Sequence, residues 1–136
     1  MTTSTVVYKD ELSTECTHVR SDSVITTDAP TDNKGLGRTF SPTDLLATAL
    51  GSCMITLMDI RANESQLDIK GTNAEVIKIM GTDPRRVAEV KVEIEIADNG
   101  LTDVQKSVLE KAALTCPVAL SLSDSLKQTV SFNYRK

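Results

Sequence analysis

The segment from Leu45 to Arg61, LLATALGSCMITLMDIR, constrains this chain more than any other, because it carries no charge before Asp59. A helix lying on a protein surface shows a polar face, and this one has none. It is expected to be buried on most sides, by its own sheet and by something else. In a chain of 136 residues, a second subunit is the natural cover. Ser41-Pro42 marks its start, with Ser41 as the N-cap and Pro42 at the first helical position, where a missing N–H costs nothing. Asp44 falls in the first turn and complements the helix dipole.

Around this helix the pattern alternates between strands and helices. Short apolar pieces at 6–12, 16–20 and 23–27 read as strands, with Ser21-Asp22 as a hairpin turn. The stretch 28–37 (DAPTDNKGLG) is loop chemistry. Residues 69–80 read as a strand, and Thr82-Asp83-Pro84 as a turn. From Arg86 to Ala97, apolar Val90, Val92, Ile94 and Ile96 alternate with charged Glu89, Lys91, Glu93 and Glu95. That period marks an antiparallel strand with one wet face. Thr102 caps a helix running to about Leu114, and a short helix begins at Pro117. The chain closes on a strand with Val130, Phe132 and Tyr134 on one face. The order predicts a single α+β domain over residues 1–136.

Composition narrows the functions. Net charge is −4, with 40% apolar, 25% charged and 3% aromatic residues. An acidic chain without a basic block does not suit nucleic acid, whose affinity comes from phosphate neutralisation. No apolar run is read as reaching the roughly 20 residues that span a bilayer. Met1 to Thr5 shows no basic or apolar leader, which gives the cytoplasm as the expected location. There Cys16, Cys53 and Cys116 are expected as thiols rather than permanent bridges. With His18 the only histidine and no C-x-x-C, no metal or cofactor is expected.

Cys53 lies past the middle of the long helix, with Leu50 one turn before it and Leu57 one turn after. Gly51-Ser52 beside it weakens the helix by roughly 1 kcal/mol, a cost that often permits close approach of a partner or ligand. Cys116 precedes Pro117, so it stands at the start of the short helix, where unpaired N–H groups favour a thiolate. Sequence leaves open whether the two cysteines meet.

SPTDLLATALGSC, with MITLM continuing the helix, and LTCPVALSL farther along resemble the two cysteine motifs of the OsmC/Ohr family, the osmotically inducible protein C and organic hydroperoxide resistance proteins. The resemblance implies the OsmC-like fold, antiparallel sheets packed around a long buried central helix, in an intertwined homodimer with active sites at the subunit interface. It implies Cys53 as the peroxidatic and Cys116 as the resolving cysteine, an organic hydroperoxide as substrate, and an external dithiol, such as a lipoylated protein, as reductant. Leu50, Leu57 and His18 become candidate pocket residues. The best understood members also hold an arginine by a glutamate on the helix. Thr43 stands where that glutamate would fall, and Asp44 points about 100° away. Arg20 is the first candidate for the arginine and Arg38 the second. Cys16 reads as structural. Two functions follow: a thiol peroxidase, or a dimer of the same fold that binds a small molecule or senses redox state.

Overall fold

The computed structural model describes residues 1–136, which divide into two compact units, Met1–Leu46 and Ala47–Lys136. The first is a three-stranded sheet in the order β1-β2-β3, with β1 at Ser4–Asp10, β2 at Ser13–His18 and β3 at Val24–Asp28, all antiparallel. The turn between β2 and β3 closes through the His18 N–H on the Ser23 carbonyl at 2.8 Å, so the predicted Ser21-Asp22 hairpin is present. The turn between β1 and β2 is not where the sequence pattern ends its strand. Asp10, Glu11 and Leu12 all adopt left-handed backbone, at φ 83°, 55° and 61°, and reverse the chain three residues after Val7. None of this unit's apolar side chains is buried; its enclosed residues are Thr27, Asp28 and Ser41.

Helix α1, Pro42–Glu64, runs across the division between the units. Its start is a reciprocal cap: the Asp44 N–H donates to Ser41 Oγ and the Ser41 N–H to Asp44 Oδ2, both at 3.0 Å. The first-turn carboxylate is thereby committed to the backbone. At 23 residues α1 is long and apolar enough to cross a membrane by length and composition, a requirement the sequence reading had placed out of reach. A core helix meets the same test, and α1 contributes Leu50, Met54, Met58 and Ala62 to a core. Burial covers one stripe rather than most sides, leaving Ile60 49% exposed.

In the second unit, β4 (Asn73–Gly81), β5 (Arg86–Ala97) and β6 (Lys127–Arg135) form a sheet with β5 in the middle. The alternation along β5 is realised, with Val90, Val92, Ile94 and Ile96 buried. β4 pairs with β5 antiparallel, but β6 runs parallel to β5, against the expectation of purely antiparallel sheets. The reason is the connection. Between β5 and β6 lie α2 (Asp103–Leu114) and α3 (Pro117–Ser121), a crossover long enough to bring the chain back to the end where β5 began. α2 opens on a complete capping box, Thr102 with Gln105.

Gly51 explains the weak point in α1. A Cβ there would lie 2.7 Å from Cγ2 of Val76 on β4, so the missing side chain lets the helix seat directly on the sheet. The close approach is to the protein's own strand.

Candidate active site

Two features of the second unit place its cysteines. Seating α1 on the sheet through Gly51 turns Cys53 to the border of the buried stripe, half-buried against the core. The break at Thr115 between α2 and α3 leaves Cys116 as the N-cap of α3, in extended backbone and 0% exposed. The Cys53 thiol is within hydrogen-bonding reach of Cys116, and neither is in a disulfide. The two sulfurs left unrelated by the sequence therefore meet.

Cys116 Sγ also accepts the Ala119 N–H at 3.4 Å, the cap bond expected of its position. The expected thiolate does not follow. Burial, the largest influence, pushes the Cys116 thiol up from its ordinary value, and Cys53 adds to this; the N–H groups of Ala119 and Val118 pull the other way and are outweighed. Cys116 keeps its proton. Helical spacing puts Ala49, Leu57 and Ile60 on the same side of α1 as Cys53, with Ala49 and Ile60 exposed.

A family model of OsmC-like protein matches residues 33–131. The chain belongs to the OsmC-like family. A proposed osmotic-stress-induced and detoxification response protein from Psychrobacter arcticus is 48% identical, the match covering 98% of this chain and 96% of that one, with a TM-score of 0.93. An OsmC-like protein from Mycoplasma pneumoniae is 20% identical with a TM-score of 0.78, covering 98% and 96% of the two chains. The organic hydroperoxide resistance protein OsmC from Legionella pneumophila is 14% identical with a TM-score of 0.72, covering 98% of each. These last two similarities concern the fold. Comparison with curated protein sequences finds no match.

The other candidates in this OsmC-like chain sort by position. Leu50 is fully buried in the core and backs the helix rather than lining a surface, whereas Leu57 is half-buried. His18 is exposed at the end of β2, its Nδ1 2.6 Å from Ser21 Oγ, and with Cys16, Val6 and Ile25 it lines a shallow cavity of about 290 Å³. Arg20 is not at a strand end; β2 stops at His18 and Arg20 stands exposed in the turn. Thr43 Oγ1 lies 3.2 Å from Ser41 Oγ, beside the cap.

Arg38 is the arginine with a built environment. Buried Asp28 accepts its Nε at 2.8 Å, its Nη2 at 3.0 Å and its backbone N–H at 2.8 Å, and Glu11 lies 3.4 Å from Nη1. The motif reading carries no sign of Asp28; an acid ten residues before an arginine across a glycine loop is the pattern that could have raised it. The Arg38 side chain, more than desolvation opposes, holds the Asp28 carboxyl down from 3.8 to about 2. A lowered carboxylate contributes its stability in full above pH about 4 and loses it as pH falls toward 2. Melting temperatures of the wild type and Asp28→Asn are therefore expected to differ at neutral pH and converge by pH about 2. Parallel curves would contradict the pairing.

Proposed function

We propose that this chain is a thiol-dependent peroxidase that reduces organic hydroperoxides. The observation that supports this reading is the pair itself: a half-buried Cys53 close enough to a buried Cys116 to help keep it protonated. In the first step the Cys53 thiolate attacks the terminal peroxide oxygen. The O–O bond breaks, Cys53 becomes a sulfenic acid, and the alkoxide leaves as the alcohol after taking a proton. In the second step the Cys116 sulfur attacks the Cys53 sulfur; the S–S bond forms, and the displaced hydroxide leaves as water with the Cys116 proton. A Cys116 that keeps its proton until this moment supplies what the leaving group needs. An external dithiol, of which a lipoylated protein is one class, reduces the bridge by exchange. A reducing cytoplasm is the compartment this cycle fits.

The reading includes a homodimer. The first unit exposes Val6 (64%), Tyr8 (62%) and Val24 (52%) on a sheet with no buried apolar residue. Three strands without a core are not stable uncovered, and a second copy of the chain is the cover. Of the two candidate arginines, Arg38 has a guanidinium fixed by Asp28, whereas Arg20 stands exposed in a turn. Arg38→Ala and Arg20→Ala separate them.

The test is turnover with dihydrolipoamide as reductant. Cumene hydroperoxide is expected to be consumed at least about tenfold faster than hydrogen peroxide, a discrimination equivalent to about 1.4 kcal/mol of apolar contact. Equal rates would exclude the preference for organic hydroperoxides; no turnover would exclude the peroxidase and leave a dimer that binds small molecules or senses oxidants.

A further inference from the structure

Along β6 the residues alternate between exposed Lys127, Thr129, Ser131 and Asn133 and a half-buried row. Val130, Phe132 and Tyr134 of that row pack against the core, and Gln128 begins it. An amide in such a position costs free energy unless it is hydrogen-bonded. Its partner is specific: Gln128 Nε2 donates to the Ala119 carbonyl at 2.9 Å. Ala119 is also the residue whose N–H donates to Cys116 Sγ. Both polar groups of one peptide residue are thus engaged, one by the thiol and one by β6.

α3 needs such a tie. It has five residues, a single turn, too short to hold itself in water. Leu120 N–H to the Cys116 carbonyl and Ser121 Oγ to the Pro117 carbonyl are internal, the Cys116 N–H reaches back to the Ala113 carbonyl of α2 at 3.4 Å, and Cys116 and Ala119 pack into the core, but none of these hydrogen bonds ties the turn to the sheet. The geometry points to Gln128 as the positioning residue for closure of the Cys53–Cys116 bridge: by holding Ala119 it holds the turn that presents the Cys116 sulfur. The inference rests on the thiol reading of Cys53 and Cys116. A turn that drifts leaves the Cys53 sulfenic acid waiting, and a second equivalent of hydroperoxide then carries it to the sulfinic acid, releasing a second alcohol.

The experiment compares the wild type with Gln128→Met, which keeps the shape without a donor, and Gln128→Lys, which restores one. Bridge closure is measured with diamide, an oxidant that joins two thiols without any peroxide, and sulfinic acid at Cys53 is measured by mass after excess cumene hydroperoxide. Gln128→Met is expected to close about five- to tenfold more slowly, as loss of one hydrogen bond allows, and to accumulate sulfinic acid. Gln128→Lys is expected to return to within about twofold of wild type. If Gln128→Met does not fold, Gln128→Glu carries the test, having no N–H to give when ionised. Closure unchanged in the donorless variant, or a lysine variant equally slow, would overturn the inference, as would a wild type whose pair diamide does not close. A difference seen with diamide in a protein that ignores hydroperoxides would uphold Gln128 and reject the peroxidase.

Discussion

Cys53→Ser is expected to abolish hydroperoxide consumption, lowering it by at least about 10³-fold, because a serine hydroxyl is not ionised at neutral pH and cannot form the sulfenic acid. Cys116→Ser should behave differently. Its first turnover should proceed, since Cys53 still meets the peroxide, and the product should be a persistent sulfenic acid that dimedone traps. The asymmetry follows from placement. Cys53 is the half-buried thiol beside Ala49 and Leu57, while Cys116 is enclosed, keeps its proton and has its sulfur on the Ala119 N–H. Stopped-flow consumption of cumene hydroperoxide with dimedone labelling measures both. Equal losses in the two variants, or a Cys53→Ser protein that still consumes peroxide, would contradict these roles.

Gly51→Val is expected to destabilise the fold by about 3 kcal/mol, lowering the melting temperature by roughly 10 °C. The added Cβ would meet Val76 Cγ2 at 2.7 Å, and a valine methyl on a paired strand has little room to yield. Gly51→Ala places the same Cβ but regains about 1 kcal/mol of helix propensity, so it should lie near neutral to mildly destabilising. Trimming the opposing side chain in Gly51→Ala/Val76→Ala should recover more than the two single changes predict, a coupling a double-mutant cycle reads directly. A Gly51→Val protein that melts like the wild type would mean that α1 does not seat on β4.

Where local chemistry decides the structure, the sequence carried it. Ser41 and Thr102 are caps because their side chains answer backbone groups within three residues. The alternation of β5 reports a sheet with one covered face. What escaped depends on distant partners or on conformations without a characteristic residue. The Asp10–Leu12 turn contains no glycine, proline or asparagine, although three residues in succession are left-handed. The parallel pairing of β6 is decided by the crossover, not by the strand's own residues. Asp28 and Arg38 are brought together by the loop between them. For the site, the motifs singled out Cys53 and Cys116, but only tertiary packing brings them together and reverses the expected acidity of Cys116. Gln128 drew no notice, since it stands just before the apolar row of Val130, Phe132 and Tyr134, and its part depends on a hydrogen bond to Ala119 in α3.

The most direct measurement is peptide mapping after one equivalent of cumene hydroperoxide, with free thiols counted before and after. The expected result is the loss of two thiols per chain, recovery of a Cys53-containing peptide joined to a Cys116-containing peptide, and Cys16 still reduced. Survival of all three thiols, or a bridge that includes Cys16, would contradict the pairing of Cys53 with Cys116 as the protein's reactive centre.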